Sequence, residues 1–370
     1  MYKAFRKVKR NRGAAGIDKQ SIRMYEANLH QNLMALMKDL KRRGQYNPLP
    51  LLRQWISKDR NERRPLGIPA VRDRVAQEVI RLLIERYFEP YFHDHSYGFR
   101  PKRNAHMAVR KIIELRRLGF RHVVDADIKG FFDNIPHDLI MRLISDKIAD
   151  GNILDIIEKF LKCGVMDDGV FSPTDKGTPQ GGVISPLLAN IVLDVLDKEL
   201  AVNGYAFVRY ADDFVVLCKK AHDCEKALAI VEDVVENKLG LKLSPEKTSI
   251  TSFRKGFDFL GFHFYYNGIN IRDKAVEKFK DNIRNNTIRS HNFDKEVINN
   301  LNRIIKGFAN YFAADFSRVM WQFERLDAMI RRRLRCMKKK RISKLDNHRI
   351  PNKYFHKLGL ISLYSLVQIS

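Results

Sequence analysis

The sequence lacks the marks of several protein classes. Its four cysteines, Cys163, Cys218, Cys224 and Cys336, show no C-x-x-C spacing. That pattern disfavours zinc fingers and a disulfide framework, and it predicts reduced thiols in a cytoplasmic protein. No signal peptide opens the chain, and no apolar run approaches the length of a membrane span. Internal repeats and low-complexity tracts are also missing. The expectation is therefore a folded cytoplasmic protein that does not associate with membranes.

Acidic residues are scarce relative to basic ones. The 370 residues include 68 Lys and Arg against 43 Asp and Glu, which gives a formal net charge of +25. A hydrophobic content of 45% predicts a folded core rather than disorder, and the length suits two or three domains. So large a positive charge indicates a polyanionic partner, most simply nucleic acid. The alternative is a basic surface that serves solubility alone.

Some of the scarce carboxylates occur at the ends of apolar strands. Tyr210-Ala211-Asp212-Asp213 lies between two apolar runs, which predicts a β-hairpin with two acidic residues at its tip. Upstream, the strand 123–127 ends in Asp127. Buried carboxylates are costly unless a cation neutralises them, and Mg²⁺ prefers one or two carboxylates plus substrate phosphates. Asp127, Asp212 and Asp213 are therefore predicted to hold two Mg²⁺ ions, as in polymerases and nucleases. The alternative is a solvated turn.

Two further segments are candidates for contact with a nucleotide. The glycine-rich stretch 177–182 precedes a helix that Ser185 is predicted to cap, and its glycines let a base pair approach the backbone. The stretch is not a P-loop, and a plain glycine turn is the alternative. Lys58 and Arg64 flank a short charged turn and could grip a triphosphate across a hairpin. An exposed charged turn is the alternative there.

The distribution of strands and helices predicts an α+β fold with a helical C-terminal part. Strands interleave with helices as far as Phe264, which suggests helices packed on one side of a sheet. From Asp273 onward the pattern is helical, and residues 271–344 hold 20 Lys and Arg against 8 Asp and Glu. A domain boundary is expected near residue 270. The single-signed run 331–341 is predicted to contact phosphates with strong salt dependence, although such a run can also be a solvated face.

Read in order, seven blocks resemble the reverse transcriptases encoded by group II introns and their close bacterial relatives. The stretch Thr178–Pro186 is closer to the intron type than to retron or diversity-generating enzymes, and the resemblance spans roughly residues 1–335. The blocks are Arg64–Pro69, Ser96–Pro101, Asp125–Asp133, Gly177–Asn190, Tyr210–Phe214, Leu243–Thr248 and Phe257–Phe262.

The resemblance implies a right-hand polymerase of α+β class. Fingers are expected over residues 1–115 and a catalytic palm, an antiparallel sheet flanked by helices, over 116–268. An all-α thumb, or maturase region, is expected over 269–345, followed by a tail, 346–370, of unknown role. The chain begins inside the block where the family has an N-terminal extension that helps hold template. The sequence shows neither a DNA-binding tail nor an HNH-type endonuclease with paired cysteines after the thumb, so second-strand cleavage by this chain is not expected.

The resemblance also implies roles for individual residues. Phe132 would be the steric gate that rejects a ribose 2′-hydroxyl, although Phe131 could trade places with it. The metal ligands would be Asp127, Asp212, Asp213 and the backbone carbonyl of Ile128, around two Mg²⁺ for which Mn²⁺ can substitute. The dNTP would contact Lys58, Arg64, Phe132, Gln180 and Lys247, the last as a candidate proton donor. Nucleic acid would contact Arg100, Gly181, Gly261, Arg331, Arg332, Arg333 and Arg335.

The implied activity is RNA-directed DNA synthesis on a primer 3′-hydroxyl, associated with a group II intron. The partners would be an RNA template, which can be structured intron RNA, a DNA or RNA primer, and dNTPs. Two alternatives stay open. The chain could act mainly as an RNA-binding splicing cofactor through the basic thumb, or it could be a domesticated enzyme of DNA repair or antiphage defence. The oligomeric state is open, with a dimer as one option.

Overall fold

A computed structural model describes residues 1–57, 63–343 and 345–367 of the chain. The chain divides into two compact units, Met1–Ile250 and Thr251–Ser370. The predicted limits of fingers, palm, thumb and tail, at residues 115, 268 and 345, stay predictions. Among the described residues, no helix has both the length and the apolar character that crossing a bilayer requires.

The helices of the first unit follow local signals in the sequence. Asn104 accepts a hydrogen bond from the Met107 N–H at 3.0 Å, and Asp150 caps a later helix by accepting from the Asn152 and Ile153 N–H groups. The helices are α1 (Tyr2–Asn11), α2 (Ile22–Ala27), α3 (Leu29–Lys41), α4 (Val71–Phe88), α5 (Ala105–Arg117), α6 (Phe131–Asn134), α7 (His137–Ser145), α8 (Gly151–Lys162), α9 (Ser185–Val202) and α10 (Ala221–Glu232).

One predicted feature of α9 is not observed. The helix begins at Ser185, but the Ser185 hydroxyl does not cap it. That hydroxyl donates to the carbonyl of Pro179 at 2.9 Å and so ties the helix to the preceding loop. The sequence predicts a hydrogen bond between this hydroxyl and the backbone of the helix, but in the structure the hydroxyl bonds the preceding loop.

The first unit contains two four-stranded sheets. One has the order β2-β1-β4-β5, with β1 and β2 antiparallel and β1 and β4 parallel; the other has the order β6-β7-β3-β8. The division between the two units falls within the last strand of the second sheet. The strands are β1 (Leu51–Ser57), β2 (Arg63–Ile68), β3 (His122–Asp127), β4 (Val165–Asp167), β5 (Val170–Ser172), β6 (Ala206–Tyr210), β7 (Asp213–Cys218) and β8 (Ser249–Ser252).

The second sheet, β6-β7-β3-β8, is buried by helices α9 and α10. Phe214 through Cys218 of β7 are all buried, as a strand covered on both faces requires. On β3 the buried side chains are Val123, Val124 and Ala126. The apolar stripe of α9 joins the same core. A rigid, close-packed base therefore carries the ends of β3 and β7.

The second unit combines a small sheet with helices. Its strands β9 (Phe257–Phe259), β10 (Phe262–Tyr265) and β11 (Gly268–Ile271) form an antiparallel sheet. The Gln322 side chain accepts from the Ile271 N–H and donates to the Ile271 carbonyl, both at 2.9 Å, which fixes the sheet edge to a helix. The helices are α11 (Asp273–Asn286), α12 (Lys295–Phe312), α13 (Met320–Lys339), α14 (Asp346–Arg349), α15 (Asn352–Lys357) and α16 (Leu363–Val367).

The described part of the C-terminal tail is packed against this helical unit. The carboxylate of Asp327 on α13 accepts from the Ser362 hydroxyl and from the backbone N–H groups of Leu363 and Tyr364. Leu363 is fully buried. The carboxylate therefore caps α16 and holds it on α13. The predicted α+β class, with an antiparallel sheet flanked by helices and a helical segment after it, is confirmed.

Candidate functional site: a carboxylate cluster at the end of a sheet

Two of the predicted carboxylates are direct neighbours across strands. In the antiparallel pairing of β3 with β7, Asp127 lies opposite Asp213, and Asp213 also lies opposite Tyr210 of β6. Directly opposite residues of an antiparallel pair have Cα atoms about 4.5–5.5 Å apart. Asp212 occupies the turn between β6 and β7. The structure thus brings Asp127, Asp212 and Asp213 to one end of one sheet, as the sequence predicts.

The surroundings of Asp212 disfavour the charged form of its carboxylate. Burial raises the pKa of Asp212, and the nearby Asp127 carboxylate raises it further, while Arg64 and Arg209 act in the opposite direction. The Lys247 ammonium lies 2.9 Å from Oδ2 of Asp127. Three predicted site residues from distant parts of the chain, Arg64, Asp212 and Lys247, therefore act on a single charge cluster.

The donor chemistry of the cluster suits a hard divalent cation. Clustered, partly buried carboxylate oxygens are costly alone and are the ligands that Mg²⁺ prefers. Across the ranges that the structure describes, no three His, Cys, Asp or Glu side chains converge as a complete ligand set. Lys247 instead holds Asp127 in an ion pair. A coordination shell of two carboxylates and substrate phosphate oxygens would match the preference of Mg²⁺. The chemical type of these residues therefore suits the ion.

The backbone around Ile128 is fixed by a bridge to Leu243. The Ser244 N–H donates to the Asp127 carbonyl at 2.8 Å, and the Lys129 N–H donates to the Lys242 carbonyl at 2.8 Å. The segment that carries Lys247 is thereby attached to the end of β3. The prediction that the Ile128 carbonyl contacts a metal stays a prediction.

A buried polar network behind the hairpin was missed by the sequence analysis. Arg209 is fully buried and donates to Asp197 through Nε at 2.8 Å and through a terminal nitrogen at 2.5 Å. Its other terminal nitrogen donates to Asn190 Oδ1 at 2.9 Å and to the carbonyl of Ala211 at 3.0 Å. The Asn190 amide in turn donates to the Gly98 carbonyl at 2.9 Å.

This network holds a strained turn. Ala211, the residue before the two hairpin aspartates, has φ +60°, a left-handed conformation that costs a non-glycine residue about 1 kcal/mol or more. A Cβ on Gly98 would lie 2.2 Å from the Ala211 nitrogen, so only glycine fits there. A sequence signal did exist: Asn190 and Asp197 lie seven residues apart, on one face of a largely apolar helix.

The glycine-rich loop is bonded to the segments on either side of it. The Thr178 N–H donates to the Phe132 carbonyl at 2.7 Å, and the Gly67 N–H donates to the Gln180 carbonyl at 2.8 Å. Gly181 has φ +110°, and a Cβ there would lie 2.6 Å from the Gly67 carbonyl oxygen. The loop therefore links β2, which carries Arg64, to α6, which carries Phe132.

The two candidate gate residues differ in exposure. Phe131 is 2% exposed and belongs to the core, whereas Phe132 is half-buried. The Phe132 ring packs edge-on against Phe99, with centroids 6.4 Å apart, and Phe99 is exposed. The Gln180 amide donates to Asp133 at 3.2 Å, next to this ring. Of the two phenylalanines, Phe132 is the one whose position lets a ligand reach it.

The remaining predicted residues of the first unit are less informative. Arg64 is exposed on β2, opposite Ile56 of β1 in the antiparallel register, so the predicted hairpin is present. Lys58 lies outside the described residues. Arg100 is buried and donates to Glu89 and to the carbonyls of His93 and Ser96. Those bonds fix the loop before α5, and the prediction that Arg100 binds nucleic acid gains no support from its geometry.

In the second unit, the predicted arginines divide into two kinds. Arg333 donates to the Thr287 hydroxyl and carbonyl, and Arg335 is buried with bonds to the Ile350 carbonyl and Asn352. Both sets of bonds stabilise the helical fold, and those of Arg333 lend no support to a role on nucleic acid. Arg331 is half-buried and Arg332 is exposed.

Gly261 occupies the tight turn between β9 and β10, with φ +81°. Its carbonyl accepts from the Arg272 N–H at 3.0 Å. A Cβ at this position would lie 3.3 Å from the Phe312 ring, closer than most side chains tolerate. The glycine is thus required by the turn itself, and its predicted contact with nucleic acid stays a prediction.

Comparison with known proteins gives two adjoining family matches. The family described as reverse transcriptase (RNA-dependent DNA polymerase) matches residues 56–264. The family described as group II intron, maturase-specific domain matches residues 276–355.

The chain is also similar to individual proteins. Protein YkfC of Escherichia coli is 36% identical over 286 residues, which cover 66% of this chain and 74% of that protein. Group II intron-encoded protein LtrA of Lactococcus lactis is 31% identical over 354 residues; 78% of this chain is covered but only 57% of LtrA. A structure of telomerase from Candida albicans with a fragment of telomeric RNA has a TM-score of 0.48 and 12% identity, over 86% of this chain and 64% of that one.

Proposed function

Because the chain belongs to the reverse transcriptase family and carries a group II intron maturase-specific domain, we propose that it is an RNA-directed DNA polymerase. It would add dNTPs to the 3′-hydroxyl of a primer on an RNA template. The observation that carries the proposal is the cluster of Asp127, Asp212 and Asp213 at the end of β3 and β7. The resemblance of the seven sequence blocks to this family is confirmed by the two matches.

The three aspartates would hold two Mg²⁺ ions, or Mn²⁺ in their place, with the Ile128 carbonyl as a further oxygen donor. When bound, such ions lower the pKa of the attacking hydroxyl and stabilise the leaving pyrophosphate. The raised pKa of Asp212 supports this assignment, because a cation at that position would remove the repulsion from Asp127.

Lys247 and Arg64 would act on the triphosphate, together with Lys58. Lys247 pairs with Asp127 in this structure, and we expect it to turn toward the substrate phosphates when a metal neutralises that carboxylate. Its ammonium could then donate a proton to the leaving group. Arg64 would form two parallel hydrogen bonds to phosphate oxygens, for which its planar guanidinium is suited.

Phe132 and Gln180 would read the sugar of the incoming nucleotide. The half-buried Phe132 ring would leave no room for a 2′-hydroxyl, and Gln180 lies beside it through its bond to Asp133. Gly181 would let the nascent base pair approach the loop backbone, where a side chain could not fit.

A second function is favoured by a specific observation. The maturase-specific domain matches residues 276–355, and this segment carries the dense basic run. We propose that the second unit binds structured intron RNA and assists its splicing, mainly through phosphate contacts. The two functions can coexist in one chain. The formal charge of +25 and the four free cysteines agree with a nucleic-acid-binding protein of the cytoplasm.

Primer extension on an RNA template with dNTPs and Mg²⁺ tests the first function. Asp212→Ala should abolish extension, whereas Asp146→Ala, which removes an exposed carboxylate elsewhere in the same unit, should not. Both proteins should show wild-type circular dichroism. Full extension by the Asp212→Ala protein would refute the polymerase assignment.

A splicing assay separates the second function from the first. If splicing survives Asp212→Ala but is lost when Arg331 and Arg332 are changed to Gln, RNA binding acts independently of polymerisation. If the arginine changes leave splicing intact, the second unit does not assist splicing through this surface.

A further inference from the structure

A pocket of about 620 Å³ opens on the second unit between α13 and the segment that leads into α15. None of the described residues that line it is acidic. The polar residues of its lining include Arg325, Arg331, Arg332, Arg335, Asn347 and Asn352. We call it the arginine pocket. Four like charges around one concavity repel one another, and an anion in the pocket would remove that repulsion.

Arg335 is a buried residue of the arginine pocket's lining. It is 7% exposed, and its guanidinium is held by the Ile350 carbonyl and by Asn352 Oδ1, each at 2.8 Å. Burial and the charge of Arg331 both lower the pKa of Arg335. A guanidinium is fixed here with a second cation beside it and without a carboxylate among the described residues of the lining. Such an arrangement favours binding of an anion from outside.

An exposed aromatic ring lies next to the arginine pocket. Trp321 on α13 is 46% exposed, and the Arg325 guanidinium lies over its ring, 5.0 Å from the centroid. Arg325 therefore both lines the pocket and contacts the ring. An aromatic face beside phosphate-binding cations is the combination by which proteins bind unpaired nucleotides.

We propose that the arginine pocket and Trp321 form one binding site for an unpaired stretch of RNA. A backbone phosphate would occupy the pocket, and an adjoining base would stack on Trp321. This inference rests on the proposed RNA binding of the second unit and names the site that performs it.

A duplex fits the arrangement poorly. Its bases are stacked on one another and cannot cover the Trp321 ring, whereas a loop or bulge can present a free base. The site also differs from the basic run as a whole. Arg333, which belongs to that run, is bonded to Thr287 and lies outside the pocket lining.

A fluorescence titration tests the site directly. The chain has two tryptophans, Trp55 and Trp321, so a Trp55→Phe protein reports on Trp321 alone. The full chain, without Mg²⁺ or dNTP, is titrated with an RNA hairpin that has an unpaired loop. A blunt RNA duplex of equal length is the comparison. The hairpin should quench Trp321, and the duplex should not.

Variants measured by the anisotropy of labelled hairpin RNA give the energetic test. Arg325→Gln with Arg332→Gln should weaken binding about tenfold and reduce the salt slope by about 0.7 for each phosphate that is no longer neutralised. Trp321→Ala should weaken binding about tenfold, and Trp321→Phe should restore most of it because a ring remains. Lys295→Gln with Lys306→Gln removes the same charge from exposed positions of α12 and should change affinity less than threefold.

Two results would overturn the inference. One is an arginine double variant that binds the hairpin as tightly as the lysine control. The other is a blunt duplex that quenches Trp321 as well as the hairpin does. Because the titration contains no metal and no dNTP, it measures RNA binding at the arginine pocket even if the polymerase assay fails. A chain that extends primers but shows no loop-dependent quenching would refute this site alone.

Discussion

The buried ion pair behind the hairpin allows a quantitative prediction. Arg209 and Asp197 have side-chain exposures of 0% and 1%. Changing Arg209 to Met, or Asp197 to Leu, leaves the other charge buried without its partner, which costs about 3–5 kcal/mol. For a domain of this size each kcal/mol lowers the melting temperature by about 2–4 °C. Each single variant should therefore melt about 6–20 °C below the wild type.

The double variant, with both Arg209 and Asp197 replaced, separates the effect of the ion pair on fold stability from its effect on the position of the hairpin aspartates. With both charges removed, neither is left uncompensated, so most of the lost stability should return. The Ala211 carbonyl would still lack its donor, and a misplacement of about 1 Å at a reacting centre can cost about 100-fold in rate. We expect the double variant to fold well and to extend primers at least tenfold more slowly, with a higher Mg²⁺ requirement.

Thermal unfolding followed by circular dichroism and primer extension over a Mg²⁺ series are the assays. Single variants that melt within about 2 °C of the wild type would show that the pair is not a buried, paired charge. A double variant with wild-type extension at every Mg²⁺ concentration would show that the network stabilises the fold without positioning the aspartates. Arg209→Lys keeps the charge with fewer donors, so it should be intermediate in both assays.

Three further predictions follow from the site. The pKa of Asp212 in the folded protein is raised above its ordinary value of 3.8. The Asp212 carboxyl therefore contributes to stability below pH 3.8, and this contribution is lost as the pH rises through the folded-state pKa. Asp212→Asn should therefore be inactive. Without metal at pH 7, its free energy of unfolding should exceed that of the wild type by about 0.5–2 kcal/mol. A melting temperature below that of the wild type would contradict this. Phe132→Val should admit ribonucleotides with about tenfold or greater loss of discrimination in single-nucleotide incorporation. Phe131→Val should instead lower stability by about 3 kcal/mol; an unchanged preference in the Phe132 variant would reassign the gate. Gly98→Ala places a Cβ 2.2 Å from the backbone nitrogen at the hairpin tip and should lower both stability, by about 1–3 kcal/mol, and extension rate. Gly307→Ala, in a helix with open space around it, should stabilise, and equal effects of the two glycine changes would refute the steric argument.

The parts of the site that could be predicted from the sequence are those set by local patterning. Apolar runs on both sides of residues 210–213 predict a hairpin, and the run before Asp127 predicts a strand that ends in an acidic residue. Apolar strands of this kind pair in a buried sheet, so their polar ends meet. Which residues face each other depends on the register of the two strands, so the position of Asp127 directly opposite Asp213 is known only from the fold.

Features that depend on contacts between distant segments could not be predicted in the same way. Arg209 looks like an ordinary strand residue, and only the fold shows that a helix residue twelve positions earlier neutralises it. Ser185 resembles an N-cap, but a neighbouring carbonyl captures its hydroxyl. Within the basic run, sequence alone does not distinguish Arg335, which is buried, from Arg332, which is exposed. In each case a long-range partner overrides the local preference.

The hairpin tip breaks several local rules at once. It combines a left-handed alanine, a carboxylate whose pKa is raised by burial, and a second carboxylate directly across the sheet. Each of these opposes folding, so the surrounding core must supply the compensation. It does so through a strand buried on both faces and an ion pair with less than 2% exposure on either side. A tip held this firmly cannot relax to separate its charges, so they are relieved by the Lys247 ammonium, by protonation of Asp212 or by the proposed cation. If the proposed metal binds at this tip, the rigidity of the hairpin contributes to its affinity: loosening the network should weaken metal binding even where every carboxylate is kept.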